Sequence, residues 1–300
     1  MTQSIQGILP ALVTPFAADG SLAVPALEKL LERLYACGSG GVYVCGNTGE
    51  GLLMDAAIRE KAAEVAVRNS PAGTQVVVHV GAAVVTDAIR LARHAERAGA
   101  MAISSLPPAG GYPFEEIHAY YRDLAAAVNI PVLVYYFPDM APSIRTLEQI
   151  LSLCEIPGVV GMKFTDFDLY RLGEIRREGH IVMNGRDEVL AAGLYMGAQG
   201  GIGTFYNLIP RTFVEIERAA VAGDWALARQ LQDGVNRLIR LTLRYPAMPA
   251  VKRMLEWSGI AAGQCLKPRL SLTPEQWESL QAELLGAGFT PEGFQQGIVG

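Results

Sequence analysis

The sequence is poor in lysine, with five in 300 residues (Lys29, Lys61, Lys163, Lys252 and Lys267), and poorer still in metal-binding patterns. Its four cysteines, Cys37, Cys45, Cys154 and Cys265, form no CxxC pair, and three lie in apolar segments. They read as buried free thiols of a reducing cytoplasm rather than as a disulfide framework. His79, His94, His118 and His180 are scattered, without an HxxxH or HxH pair, so no metal and no cofactor is expected. No stretch reaches the ~18 uninterrupted apolar residues of a membrane helix. Met1-Thr2-Gln3-Ser4 is not a basic region followed by an apolar run, so no leader is expected and the protein reads as cytoplasmic. Basic excess is missing too. A net charge of −5 supplies no field for nucleic acid or an anionic membrane, although a local site can still take a small anion.

What is present is a regular alternation of short β-branched runs and longer amphipathic stretches. Half the residues are hydrophobic and 18% are charged, which suits a packed globular chain rather than a disordered one. Strands are predicted at 7–13, 41–45, 75–80, 100–104, 131–137, 159–164, 180–183 and 199–204. Helical periodicity separates them, as at 24–36, where Leu27, Leu30, Leu31 and Leu34 share one face. Glycines close several helices before the next strand, as in Ala98-Gly99 and Met196-Gly197. Eight strands in strict β–α order imply parallel pairing with helical crossovers. The expected fold is therefore α/β, a (β/α)₈ TIM barrel over residues 1–223, with an open doubly wound sheet as the alternative. Residues 224–243, 249–257 and 274–285 are predicted helices of a C-terminal helical domain, 224–300.

Four of the lysines lie among other charges: Lys29 and Lys61 on amphipathic helices, Lys252 and Lys267 beside Arg253 and Arg269. Lys163 follows Val159-Val160-Gly161-Met162 inside an apolar strand, where a lysine costs stability unless something uses or pairs it. An amine taken out of water favours its neutral form, which attacks carbonyls. The period of two puts Val159, Gly161 and Lys163 on one face, expected to be the barrel interior below its C-terminal mouth. A lysine snorkelling to solvent, or paired with Asp166, is the competing reading.

Tyr135 ends the preceding strand, where a phenol can carry protons or simply fill the barrel top. After the second strand, Gly46-Asn47-Thr48-Gly49-Glu50 can turn backbone N–H groups toward an anion, with the Thr48 hydroxyl as a relay. An ordinary turn capped by Asn47 would read the same way. Gly197–Gly203 lies where many barrels hold phosphate but has no GK[ST] ending and is no P-loop.

Leu12-Val13-Thr14-Pro15-Phe16, Asp19-Gly20, the Gly46–Glu50 pentapeptide, Tyr135…Pro138 and Gly161-Met162-Lys163 occur in this order. In this the chain resembles the dihydrodipicolinate synthase / N-acetylneuraminate lyase family of class I aldolases, over almost its whole length. The resemblance implies a lyase that forms a Schiff base with pyruvate, needs no metal and assembles as a homotetramer. By position it makes Lys163 the Schiff-base lysine, Tyr135 the proton-transfer phenol, and Thr48 and Asn47 the holders of the pyruvate carboxylate.

Branches of the family differ at the second substrate. The synthase branch has an arginine five residues beyond the tyrosine; here Met140 stands there and cannot offer a charge-assisted hydrogen bond. The lyase branch reads a polyhydroxy tail with Gly-x-Asp-Glu and a later hydroxyl residue, matched by Gly185-Arg186-Asp187-Glu188 and by Gly203-Thr204. Carboxylates accept hydrogen bonds from vicinal hydroxyls, though Asp187 and Glu188 would equally suit a helix N-terminus. Thr165, in Lys163-Phe164-Thr165-Asp166, is expected to face the substrate. The resemblance therefore points to aldol cleavage or formation of a 2-oxo-3-deoxy sugar acid. A 2-keto-3-deoxy sugar acid aldolase or dehydratase, the synthase itself and a non-catalytic 2-oxo acid sensor are the alternatives to an N-acetylneuraminate lyase-like enzyme. One departure stands out: the loop after strand four carries Ala109-Gly110 where the family has tyrosines reaching a neighbouring subunit, and Tyr112 replaces them only if the loop takes another path. Arg186 is left with two partners, Asp187 or a substrate carboxylate.

Overall fold

The computed structural model describes residues 5–299. Eight strands alternate with eight helices: β1 (Gly7–Pro10), α1 (Val24–Ala36), β2 (Gly41–Val44), α2 (Ala56–Arg68), β3 (Gln75–His79), α3 (Val85–Ala98), β4 (Ala102–Ser105) and α4 (Phe114–Ala126) make the first half. The second half is β5 (Val132–Tyr136), α5 (Leu147–Cys154), β6 (Val159–Phe164), α6 (Leu169–Arg177), β7 (Ile181–Asn184), α7 (Leu190–Tyr195), β8 (Gly200–Gly203) and α8 (Pro210–Val221). All pairings are parallel, in the order β1-β8-β7-β6-β5-β4-β3-β2. A parallel bridge between Ala11 and Tyr43, with Leu12 N–H donating to the Tyr43 carbonyl at 2.8 Å, joins the two ends into a TIM barrel.

Two apolar layers hold it. Between strands and helices, Leu27, Leu30, Leu31 and Leu34 of α1 are fully buried, the face their spacing predicts. Inside the barrel, Leu9, Tyr43, Val77, Leu133, Met183 and Ile202 form a separate cluster. The expected face of β6 needs correction. Pairing with β5 jumps from Val132–Val159 to Leu133–Gly161, a bulge, and Gly161 has a φ of +150°. The extra residue sends Val159 to the outer layer and Val160 toward the inner one, while Lys163 still points inward.

The predicted strands hold in place with shifted ends. The first stops at Pro10 rather than residue 13, because Val13 N–H leaves the sheet and donates to Asn207 Oδ1 at 3.0 Å. The helix whose N-terminus Asp187 and Glu188 would suit is divided into a 3₁₀ turn, Asp187–Val189, and α7. Beyond Gly223, whose φ of +77° makes the turn, four helices follow: α9 (Trp225–Thr242), α10 (Ala247–Trp257), α11 (Pro274–Gly286) and α12 (Pro291–Gln296). The last, a six-residue helix capped by Thr290, was not anticipated. Among the described residues no helix is long and apolar enough to cross a membrane.

Candidate active site

Tyr135 and Lys163 are register partners at the C-terminal ends of β5 and β6. Lys163 is 4% exposed, and its Nζ sits 4.2 Å from the centroid of the Tyr135 ring and 4.5 Å from that of Tyr43. Neither snorkelling nor an ion pair accounts for it. Among the described residues no carboxylate lies within 4.0 Å of Nζ, and Asp166 instead accepts from Phe167 N–H at 2.7 Å and Tyr136 O–H at 3.4 Å. Beneath the amine, Tyr43, His79 and Tyr135 contact one another through tilted and edge-on rings with centroids 6.0–6.3 Å apart. His79 is committed to structure: Leu106 N–H donates to Nε2 at 3.1 Å, which leaves Nδ1 to donate to the Cys45 carbonyl at 3.1 Å. Burial, with Arg59 and Lys163 adding to it, holds the imidazole well below its usual range, so it stays neutral.

The Gly46–Glu50 turn brings Thr48 over this floor, where its Oγ1 lies 2.6 Å from Thr204 Oγ1, so the loops after β2 and β8 meet through two hydroxyls. The backbone N–H groups of Asn47 and Thr48 have no acceptor among the described residues. At the end of β6, Thr165 is 6% exposed and its Oγ1 has no hydrogen-bond partner among the described residues. Gly185 makes room for that hydroxyl, since a Cβ at 185 would lie 2.1 Å from it. Gly203 does the same for Asp187, whose Oδ1 would lie 2.1 Å from an added Cβ. Asp187 Oδ2 accepts from Phe205 N–H at 2.7 Å, and burial raises its carboxyl to about 7, with Glu188 adding to the rise and Phe205 N–H and Lys163 opposing it. Helix α9 supports this loop from behind: Gln232 Nε2 donates to the Asp187 carbonyl at 2.9 Å and Asn236 Nδ2 to that of Glu188 at 3.0 Å.

Asn47, Thr48, Tyr135, Lys163, Thr165, Gly185, Asp187, Glu188, Gly203 and Thr204 all line one cavity of about 170 Å³ at the barrel mouth. Every candidate site residue of the sequence is therefore in one place. Tyr112 is not there; with Val85 and Ile117 it lines a separate cleft, so it does not replace the missing tyrosines within this chain. An amine with no carboxylate within 4.0 Å among the described residues, a phenol, paired hydroxyls and a buried carboxyl group suit carbonyl addition followed by proton transfer.

Comparison with known proteins agrees. The model of the dihydrodipicolinate synthetase family matches residues 4–286. The chain belongs to this family. An N-acetylneuraminate lyase of Rhizobium meliloti (strain 1021) is 38% identical over 271 residues, covering 88% of this chain and 89% of that protein. The solved N-acetylneuraminate lyase of Proteus mirabilis is 31% identical, with a TM-score of 0.89 over 96% of this chain and 100% of its own. A Clostridium difficile protein solved in complex with mannosamine is 25% identical, with a TM-score of 0.90 over 95% and 100%. Within the dihydrodipicolinate synthetase family the chain is thus N-acetylneuraminate lyase-like, and a lyase.

Sequence reading missed two parts of the site. Tyr43 packs with His79 as its floor, and only the inward alternation of β2 hints at Tyr43; His79, at a strand end, reads as core packing rather than site lining, and its ring is buried and bonded to backbone. Phe137, two residues past Tyr135, stacks on it at 6.2 Å with planes 14° apart. Arg186 does not pair with Asp187: its Nη2 lies 3.6 Å from Asp139 Oδ2, and its guanidinium carbon sits 5.2 Å from the Phe137 centroid and 4.6 Å from that of Phe167. Lys252, grouped with the surface cations by its arginine neighbour, is buried and paired with Glu50.

Proposed function

We propose that the protein is a pyruvate-dependent class I aldolase that cleaves, or in reverse forms, the C3–C4 bond of a 2-oxo-3-deoxy sugar acid of the N-acetylneuraminate type. The observation that carries this is a buried lysine amine with no carboxylate partner among the described residues, seated on the ring of a register-paired tyrosine inside a cavity lined with hydroxyls.

The Lys163 amine attacks the C2 ketone; the carbonyl oxygen leaves as water, and the iminium that remains accepts electrons. Asn47 and Thr48 hold the C1 carboxylate through their side chains and uncommitted backbone N–H groups. The Tyr135 hydroxyl takes the C4 hydroxyl proton while passing its own on through Thr48, as the C3–C4 pair moves into the iminium. The aldehyde departs, C3 of the enamine takes up a proton, and water hydrolyses the adduct to pyruvate and free amine. Thr165, Asp187, Glu188 and Thr204 hold the polyhydroxy tail, with Gly185 and Gly203 shaping its path.

The protein is further proposed to work in the cytoplasm as a homotetramer. Exposed Val84 and the cleft of Val85, Pro108, Tyr112 and Ile117 offer apolar surface that neighbouring copies would cover. Incubation with pyruvate and borohydride should add one pyruvyl mass, mapped by peptide sequencing to Lys163. An unmodified Lys163 defeats the mechanism.

A further inference from the structure

The cavity holds a second cation that the mechanism above does not use. Arg186 has five N–H donors, and among the described residues none of them makes a hydrogen bond. Its Nε is shielded from water without a partner. The ion pair with Asp139 is 3.6 Å long, beyond hydrogen-bond range, and Asp139 is 74% exposed. Such a pair contributes little and is readily exchanged for a better acceptor. The contacts with Phe137 and Phe167 are different in kind. Both rings lie within 5.2 Å of the guanidinium carbon, so they fix its position while leaving its N–H donors uncommitted.

The placement relative to Lys163 sets the reach. Lys163 lies over Tyr135 and Arg186 over Phe137, and these two rings are stacked at 6.2 Å. The two cations therefore occupy successive steps of one aromatic ladder. Four C–C bonds of about 1.5 Å each span roughly 5 Å when extended. That length is on the order of the 6.2 Å between the two rings, and Lys163 and Arg186 line the same cavity. We propose that Arg186 is a specificity residue that binds an anionic group at the far end of the substrate, a terminal carboxylate gripped through two N–H donors. The preferred substrate is then a 2-oxo-3-deoxy diacid rather than an acid ending in a neutral hydroxymethyl group. A planar carboxylate matches the guanidinium fork better than any hydroxyl does. This inference rests on the Schiff-base reading of Lys163 and goes beyond the N-acetylneuraminate-type substrate, whose tail ends in a neutral hydroxymethyl group.

The test compares kcat/KM for three six-carbon 2-oxo-3-deoxy acids that differ only at C6: a carboxylate, a hydroxymethyl group and its phosphate ester. Each is measured with the parent enzyme, R186M and R186K, and thermal melts check that the variants fold. The parent enzyme should favour the diacid, and R186M should lose roughly tenfold to hundredfold more on the diacid than on the neutral-ended acid. R186K should recover only part of that difference, because it has the charge without the fork. Equal losses on all three acids, or a parent preference for the neutral end, overturn the proposal; a preference for the phosphate ester overturns the carboxylate. Calorimetric binding of the diacid to the parent and to R186M needs no turnover and must show the same loss. Pyruvate–borohydride labelling of the parent enzyme separates the two readings: labelled Lys163 in an enzyme without diacid selectivity defeats only the role of Arg186, whereas unlabelled Lys163 defeats the Schiff base.

Discussion

Lys252 Nζ and Glu50 Oε1 lie 2.7 Å apart, and both side chains are almost wholly removed from water. The approach is off the hydrogen-bonding direction, so charge attraction carries it. The other carboxylate oxygen accepts from Leu266 N–H at 2.7 Å, while Lys252 also donates to the Gln264 carbonyl at 3.0 Å. The pair thus ties the turn that carries Asn47 and Thr48 to the C-terminal helices. Removing one partner strands a buried charge. K252M should lower unfolding free energy by about 3–5 kcal/mol, and E50Q by a similar amount, in urea denaturation. The double variant E50Q/K252M should be less destabilised than the two single losses added together.

Y135F keeps the ring beneath the amine and deletes the hydroxyl. Pyruvate release should fall by roughly 10²–10⁴-fold in kcat if that hydroxyl carries the proton. Borohydride trapping of pyruvate on Lys163 should still proceed. Loss of trapping in step with turnover would place the phenol in Schiff-base formation instead.

Asp187 predicts a pH effect on stability. Its carboxyl is raised from the usual 3.8 to about 7, chiefly by burial. Between roughly pH 4 and pH 7 the unfolded chain gives up this proton while the folded chain keeps it. Stability should therefore fall as pH rises through that window and level off above it. D187N should flatten this slope, and melts taken from pH 4 to pH 8 would show no difference in slope if the carboxyl titrates normally.

G203A places a Cβ 2.1 Å from Asp187 Oδ1 and 2.5 Å from Tyr206 Cε1. Backbone and carboxylate cannot both keep their positions, and overpacking of this kind costs about 1–3 kcal/mol. The variant should fold with a lowered Tm and lose kcat/KM on long sugar acids more than it loses pyruvate labelling. Equal losses in both would mean that the whole barrel mouth, rather than the tail-binding side, has moved.

Much of this was legible because local patterns and global folding agree. Lys163 stands out in Val159–Phe164 because a charge interrupts an apolar strand, and the β–α rhythm alone points to a parallel barrel. Lys252 was illegible for the opposite reason. Its partner Glu50 is distant in sequence, and an adjacent Arg253 makes the segment look like solvated helix. The bulge at Gly161 was hidden because a two-residue period carries no mark where it slips. Adjacency left Arg186 open between Asp187 and a substrate carboxylate; the chain turns Asp187 inward under Phe205 N–H and leaves Arg186 beside two rings supplied by other loops.

The three rings packed under Lys163 have one more implication. They block approach to the amine from within the barrel, so an iminium formed there presents only one side to anything arriving through the mouth. Hydride from borohydride should then reach C2 from a single direction, and the reduced lysine adduct should carry one configuration at that carbon rather than a racemate.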